Sequence, residues 1–305
     1  MVSKRKGNNI NGWIIIDKPA GITSTGVVSK IKRAFNAKKV GHAGTLDPEA
    51  TGVLPIALGE ATKTIPYIMD EIKSYHFCIT LGESTDTDDA TGQIINKSSK
   101  RPSDDKISTL LQKYIGFIEQ TPPNYSAIKV NGVRAYDLAR SGTQLKLKSR
   151  SLFVKDLKFL ERIDDDHALL QLTCGKGGYV RSIARDLGKD LKCFAHVKWL
   201  RRTGAGPFKI ETCITIDKIE ELQKSSKLLK LLKPLELGLQ SLPFVKCSAK
   251  EISEIANGRS VKVTSNDIEP GEKCWIQYDG KALALGTIKL DQFYPSRVFN
   301  MENFI

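Results

Sequence analysis

The order of its hydrophobic patterns is the feature that most constrains how this chain can fold. Apolar residues run almost unbroken through GWIIID (12–17), as in a short buried strand, and they alternate with polar residues in YHFCITLG (75–82). Helical spacing occurs at 24–35, where Ser24 or Thr25 can cap the helix, and at 104–118 and 177–191. These segments do not alternate as βαβ units, since long hairpin-like stretches separate isolated helices. We therefore predict an α+β fold with a mixed, largely antiparallel sheet flanked by helices.

The C-terminal part of the chain has a different character. With 305 residues the chain can form one large domain or a large and a small one. A PLELGLQSLPFV joint (234–245) precedes three strand-like segments, SVKVTS, CWIQYDG and KALALGTIKL. We therefore predict a first domain at 10–238 and a small β-rich domain at 239–305.

Several classes of protein are excluded by what the sequence lacks. The six cysteines form no C-x-x-C pair and the four histidines no H-x-x-x-H pair, so we expect no metal site and reduced cysteines. No apolar run reaches the length of a membrane span, and the basic N-terminus has no apolar core of a secretory signal. We expect a cytoplasmic protein.

Positive charge is concentrated in the larger part of the chain. The net charge is +13, and residues 242–305 hold 8 basic and 8 acidic residues, so the whole excess lies in residues 1–241. Residues 129–150 alone hold six basic residues and one acid, with too few apolar residues to close a core, and we predict a projecting basic hairpin or loop-helix element. This distribution indicates a polyanionic partner, although charge also serves solubility.

One aspartate stands out in VGHAGTLDPEATGVLPIALGEATK (40–63), a stretch without helical or strand period that we predict to be a shaped loop. Pro48 disfavours the helical region for Asp47, and flanking glycines such as Gly44 and Gly52 let the backbone turn sharply and approach a ligand. A carboxylate held on such a turn suits nucleophilic or base chemistry. An isolated Asp-Pro, however, most often only starts a turn.

Six motifs together resemble the successive motifs of TruB-type tRNA pseudouridine synthases. They are GWIIIDKPAGITS, GHAGTLDPEATGVLPIALGEATK, YHFCITLGESTDTDDATG, TPPNYSAIKVNGVRAYDLARSG, GGYVRSIARDLG and AHVKWLRRTGAGPF, and they span residues 12–208. The resemblance implies a pseudouridine-synthase catalytic domain, with an insertion at about 121–150 that clamps the T-arm of tRNA. It extends less clearly to the C-terminal part, which is similar to the family's PUA-like domain.

The resemblance also implies roles for single residues. It makes Asp47 the catalytic carboxylate, Arg181 its partner, and Asp89 an acid near that arginine. Substrate contacts follow for His42, which enters the space left by the flipped uridine, for Tyr75, which stacks on the base, and for the pocket residues Tyr179 and Leu200. Lys18 matches an element beside the active site.

By this resemblance the chain isomerises uridine 55 of the T-loop to pseudouridine, without cofactor or metal, as a monomer that needs no protein partner. Asp47 has three open roles: attack at C1′, attack at C6, or removal of the 2′ proton. Two alternatives stay open, a non-catalytic RNA-binding protein or tRNA folding chaperone on the same scaffold, and a glycosylase that releases free base.

Overall fold

The computed structural model describes residues 7–143, 145–263 and 267–300. Residues 1–6 of the basic N-terminus and residues 264–265 of the predicted SVKVTS strand lie outside these ranges. The helices of the described part are α1 (Ser24–Ala34), α2 (Ile65–Asp70), α3 (Asp104–Leu111), α4 (Ala135–Arg140), α5 (Val180–Asp190), α6 (Ile216–Leu222) and α7 (Ile252–Ala256). Its strands are β1 (Gly12–Lys18), β2 (Val40–His42), β3 (Thr51–Leu58), β4 (Lys73–Leu81), β5 (Glu83–Thr85), β6 (Ile94–Lys97), β7 (Gly116–Gln120), β8 (Lys129–Val130), β9 (Val133–Arg134), β10 (Arg150–Arg162), β11 (His167–Cys174), β12 (Ala195–Ala205), β13 (Phe208–Lys209), β14 (Ile214–Thr215), β15 (Phe244–Lys246), β16 (Val261–Lys262), β17 (Lys273–Tyr278), β18 (Lys281–Lys289) and β19 (Gln292–Val298).

A ten-stranded mixed sheet forms the body of the molecule. Its strands lie in the order β14-β1-β3-β12-β4-β11-β10-β7, with β2 beside β3 and β13 beside β12. The pairs β1–β14 and β3–β12 are parallel, and the remaining pairs of this sheet are antiparallel. Helices α3 and α5 pack on one half of the sheet, and α1 and α6 pack on the other. The predicted α+β class, with its mixed and largely antiparallel sheet, is confirmed.

The alternating pattern of YHFCITLG has its expected origin. Tyr75, Phe77, Ile79 and Leu81 point from β4 into a single core, which α5 covers with Ile183 and Leu187 on its apolar face. Because successive side chains of a strand point to opposite faces, the residues between them lie on the other side of the sheet.

A second, five-stranded sheet in the order β15-β17-β18-β19-β16 forms the C-terminal part. It has a core of its own, built around Ile276, Leu283 and Phe293. This sheet confirms the β-rich C-terminal part, while the boundary at residue 238 stays a prediction. No helix among the described residues is long and apolar enough to cross a membrane.

The interpretation of residues 40–63 as one loop was wrong. Strand β3 runs through the middle of this stretch, between β1 and β12, and buries seven of its eight residues. A strand covered on both faces shows no alternation of polar and apolar residues, so its pattern carries no strand period. The loop is limited to residues 43–50, where Asp47 lies.

Two smaller expectations also differ from the structure. The helix predicted at 104–118 ends at Leu111, a short 3₁₀ turn follows, and Ile115 is already extended before β7 begins at Gly116. The cap of α1 is Thr23, whose hydroxyl accepts from the Gly26 amide, rather than Ser24 or Thr25. The hydroxyl of Ser24 is engaged elsewhere.

Candidate active site

The turn that carries Asp47 is fixed on both sides of that residue. Before it, the Ser24 hydroxyl accepts from the Leu46 amide at 2.9 Å and donates to the Leu46 carbonyl at 3.0 Å. After it, the Lys18 ammonium donates to the Pro48 carbonyl at 2.7 Å. The carboxylate between them stays 43% exposed. The turn therefore presents Asp47 to solvent on a backbone whose neighbours are held from within.

Lys18 supports this turn from the interior of the protein. It is fully buried and donates to three carbonyl oxygens, those of Pro19, Ile22 and Pro48. Burial lowers the pKa of its ammonium to about 8, against the opposing charges of Glu49 and Asp47. The observed contacts of this predicted site residue are thus with the backbone that shapes the turn.

Arg181 joins Asp47 to the acidic loop that follows β5. Its Nε lies 3.0 Å from Asp47 Oδ2 and 3.7 Å from Asp89 Oδ2, and its side chain is 7% exposed. The other guanidinium nitrogens donate to the carbonyls of Thr87 and Tyr125, at 3.1 and 3.0 Å. Four partners around one buried fork leave the guanidinium little freedom, so its ion pair holds the Asp47 carboxylate in a defined direction.

A cavity of about 300 Å³ opens beside this ion pair. Four further predicted side chains share its wall with Asp47, namely Tyr75, Tyr179, Arg181 and Leu200. Asp89 lies outside this cavity, on a second depression of about 530 Å³ that also borders Asp47 and Arg181. Lys18 and His42 line neither of the two.

His42 lies on β2, next to the loop that carries Asp47. Its Nδ1 is buried and has no hydrogen-bond partner within the part of the chain that the structure describes. Burial and the nearby charge of Arg202 lower the pKa of the imidazole. His42 is accordingly a neutral ring at pH 7.

The floor of the cavity contains a second arginine that the sequence did not reveal. Arg202 is 1% exposed and donates to the carbonyls of Val53 and Gly44, at 2.7 and 3.0 Å. It is the cross-strand neighbour of Tyr75, whose pKa burial raises against the opposing charge of Arg202. The cation thus lies beside Tyr75, the residue that the resemblance assigns to base stacking.

Close packing against the backbone of Arg202 explains why residue 52, in the stretch that contains Asp47, is a glycine. Gly52 has a φ of +99°, and a Cβ at this position would lie 2.1 Å from the Arg202 carbonyl oxygen. The backbone of Gly52 thus lies close to strand β12, whereas a close approach to a ligand had been expected.

Lys73 is a further cavity residue that the sequence did not reveal. It donates to the carbonyls of Ile68, Met69 and Glu71 around the end of α2, and burial lowers its pKa to about 8.

A signal for Arg202 was present in the sequence, because adjacent strand residues point to opposite faces and Arg201-Arg202 places one arginine inward. Nothing comparable marks Lys73 or Ser24.

The basic segment at 121–150 contributes to the cavity wall through Ser126 and Ala127. It contains the hairpin β8–β9 followed by α4, so both of the predicted kinds of element occur, while its projection and its place as an insertion stay predictions. Among the described residues, no group of three or more His, Cys, Asp or Glu side chains is arranged to hold a metal ion.

Comparison with known proteins relates the chain to one family. Residues 32–180 match the model of the TruB family pseudouridylate synthase N-terminal domain, and residues 181–240 match that of the tRNA pseudouridylate synthase B C-terminal domain. The chain is 53% identical over 302 residues to tRNA pseudouridine synthase B of a Ruegeria species, covering 99% of this chain and 100% of the relative. It is 45% identical over 316 residues to that of Bartonella henselae, covering 98% and 99%.

Solved structures agree with this relation. A Cbf5-Nop10-Gar1 complex contains a chain similar to this one, with a TM-score of 0.74 and 28% identity, covering 95% of this chain and 85% of that one. A structure of an H/ACA RNP bound to a substrate RNA containing 2′-deoxyuridine gives the same TM-score at 26% identity, covering 96% and 86%.

Proposed function

Because the chain belongs to the TruB family of pseudouridylate synthases, we propose that it isomerises uridine 55 in the T-loop of tRNA to pseudouridine, with Asp47 as the essential carboxylate. The observation that carries the proposal is the Asp47–Arg181 pair at the wall of a cavity that also holds Tyr75 and Leu200. It combines a charged carboxylate, a flat aromatic ring and an apolar wall, which are the groups that a flipped pyrimidine nucleoside requires.

The reaction begins with extrusion of the base, because a uridine stacked within a folded loop hides its glycosidic bond. Unstacking costs a few kcal/mol, and packing of the ring between Tyr75 and Leu200 offsets part of this cost. His42, neutral and beside the loop of Asp47, is the residue we propose to fill the gap that the base leaves. A neutral ring is suited to this role because it stacks without bringing a charge.

Isomerisation then replaces the bond between the ribose and N1 of the base by a bond between the ribose and C5. The C1′–N1 bond breaks, the ring turns, a C1′–C5 bond forms, and the proton leaves C5 while N1 gains one. Atoms and electrons balance without a co-reactant. All three routes open to Asp47 need an ionised carboxylate with a free oxygen. Oδ2 faces Arg181, and no hydrogen bond engages Oδ1 within the described part of the chain, so Oδ1 is the atom we assign to the substrate.

The substrate is a tRNA, held mainly through its phosphates. The relatives are named for tRNA, and the basic segment at 121–150 borders the cavity through Ser126. Neutralising phosphates with lysine and arginine releases counterions, so binding weakens steeply with salt. We assign this segment to the T-arm.

Incubation of the protein with an unmodified tRNA transcript, followed by nucleoside analysis, tests the proposal. We expect pseudouridine at position 55 and none in a transcript with cytidine there. Free uracil would instead identify a glycosylase. Binding without any product would leave an RNA-binding protein or chaperone, and pseudouridine at another position would overturn the assigned target.

A further inference from the structure

A second arginine of α5, one turn after Arg181, makes its own set of contacts. Arg185 is 15% exposed on its side chain, and its Nη1 lies 3.0 Å from Asp88 Oδ2. Its Nη2 donates to the Thr121 carbonyl at 2.8 Å, and its Nε lies 2.9 Å from Asp186 Oδ1. One rigid fork thus connects the acidic loop after β5 with the first residue of the basic segment.

The acidic loop is tied to α5 at three consecutive residues. The Thr87 carbonyl and the Asp89 carboxylate face Arg181, and the Asp88 carboxylate between them faces Arg185. Asp88 has a φ of +61°, in the left-handed region that costs a non-glycine residue energy, and its carbonyl accepts from the Val197 amide. The conformation of Asp88 is therefore held by partners on both sides, and Arg185 supplies the charged one.

The root of the basic segment is tied to the same helix. The Thr121 carbonyl accepts from the Ser182 hydroxyl as well as from Arg185, and the Tyr125 carbonyl accepts from Arg181. Arg181 consequently takes two of its partners, Thr87 and Tyr125, from the two loops that Arg185 holds together. Loss of the Arg185 fork would remove the direct link between the two loops, although Ser182 and Arg181 keep their own bonds to them, and would leave the buried Asp88 carboxylate without its paired cation.

We propose that Arg185, paired with Asp88, is a positioning residue of the proposed reaction. It fixes the two loops from which Arg181 takes its orientation, and it links the root of the tRNA-binding segment to Asp47. The inference rests on the proposed function and deepens it. Arg185 lines neither depression at Asp47, so it acts through Arg181.

Two near-isosteric variants test this role. Arg185→Lys keeps the charge, but a single ammonium does not reproduce a fork that spans Asp88 and Thr121. Asp88→Asn keeps a residue that tolerates positive φ and removes the charge. In single-turnover assays below the lowest melting temperature, we expect each to slow pseudouridine formation about ten- to a hundredfold, because small misplacements of reacting groups have effects of this size. The Kd for tRNA should stay within about twofold, and the double variant should be no slower than the slower single one.

Arg162→Lys is the matched control. Arg162 also bridges a carboxylate and a carbonyl, those of Asp104 and Pro102, but away from the cavity, so its rate should not change. The proposal is overturned if the Arg185 and Asp88 variants keep the wild-type rate, if the control slows equally, if the two losses multiply independently, or if the loss lies in Kd alone. An inactive wild-type protein would instead overturn the proposed function itself.

Discussion

The ammonium nitrogen of Lys18 lies 2.7 Å from the carbonyl oxygen of Pro48, the residue that follows Asp47. The ion is fully buried, and carbonyl oxygens accept its three hydrogen bonds. Lys18 therefore fixes where the turn leaves Asp47, as Ser24 fixes where the turn enters it.

Replacement of this lysine should affect both folding and rate. Lys18→Met keeps the length of the side chain and removes all three hydrogen bonds, so the carbonyls of Pro19 and Ile22 lose this donor and that of Pro48 keeps only the Gly21 amide. We expect a loss of about 2–4 kcal/mol in the free energy of unfolding, measured by urea titration, and a slower single-turnover rate for the fraction that remains folded. Lys30→Met, at an exposed ion pair with Glu220, is the control and should change little. A folded Lys18→Met protein with the wild-type rate would show that the turn does not depend on this lysine.

Asp47→Asn should separate chemistry from binding. The amide is nearly isosteric but supplies neither a nucleophile nor a base, so we expect product formation to fall at least about a thousandfold, with the Kd for tRNA within about twofold. Asp104→Asn removes a carboxylate that also faces an arginine, remote from the cavity, and should leave the rate unchanged. Pseudouridine formation by pure Asp47→Asn at the wild-type rate would remove Asp47 from the chemistry.

The amphipathic elements could be predicted from sequence because one face of each is buried. Strand β4 and helix α5 show their core side chains at regular spacing, so both were recognised. Strand β3 was not, since it is covered on both faces and contains Pro55, a residue that argues against a central strand. A periodic pattern of apolar residues arises where one face of an element meets the core and the other meets solvent, and β3 has no face of the second kind.

The site depends on contacts that local patterns do not encode. Asp47 and Arg181 are 3.0 Å apart but lie on a loop and a helix distant in sequence, and the family resemblance, rather than spacing, suggested that they meet. Arg202 is buried beside Tyr75 because β12 pairs with β4, and this pairing joins residues that are far apart in sequence. Ser24 was predicted as a possible helix cap because it lies at the start of α1. Its actual partner, Leu46, lies 22 residues away, and no local pattern indicates such a contact.

Tyr75 should have two separable tasks. Tyr75→Phe keeps the stacking face but leaves Arg202 without the hydroxyl, and we expect a loss of about 1–3 kcal/mol in the free energy of unfolding with most of the rate retained. Tyr75→Leu also loses the ring, worth about 1–3 kcal/mol of base stacking, and should reduce the rate at least about tenfold further. Thermal unfolding and single-turnover rates measured on both variants give the comparison. Equal losses of rate in the two variants would mean that stacking is not the main task of Tyr75.

His42 should make stability depend on pH. Burial, and then the charge of Arg202, hold the pKa of the folded imidazole below its ordinary value of 6.5. The unfolded chain therefore binds more protons than the folded one as pH falls below about 6.5. The contribution of His42 to the free energy of unfolding is thus present above that pH and is lost as pH falls through the pKa of the folded imidazole. We expect the free energy of unfolding to fall by up to about 1 kcal/mol per pH unit between pH 6.5 and 5.5, and His42→Gln to flatten this slope. An unaltered slope in His42→Gln would assign the dependence to other groups.

The basic segment should govern the salt dependence of tRNA binding. If Lys129 and Lys146 contact phosphates, the double change Lys129→Ala with Lys146→Ala weakens binding and reduces the slope of log Kd against log salt by about 2, close to one unit for each contact. Fluorescence titrations of a T-arm stem-loop between low and physiological salt measure it. Lys250→Ala with Lys289→Ala, in the C-terminal part whose basic and acidic residues balance, is the control and should leave the slope unchanged. A slope that stays constant in the first variant, or falls equally in the second, would move the tRNA footprint away from residues 121–150, because counterion release counts phosphate contacts wherever they are made.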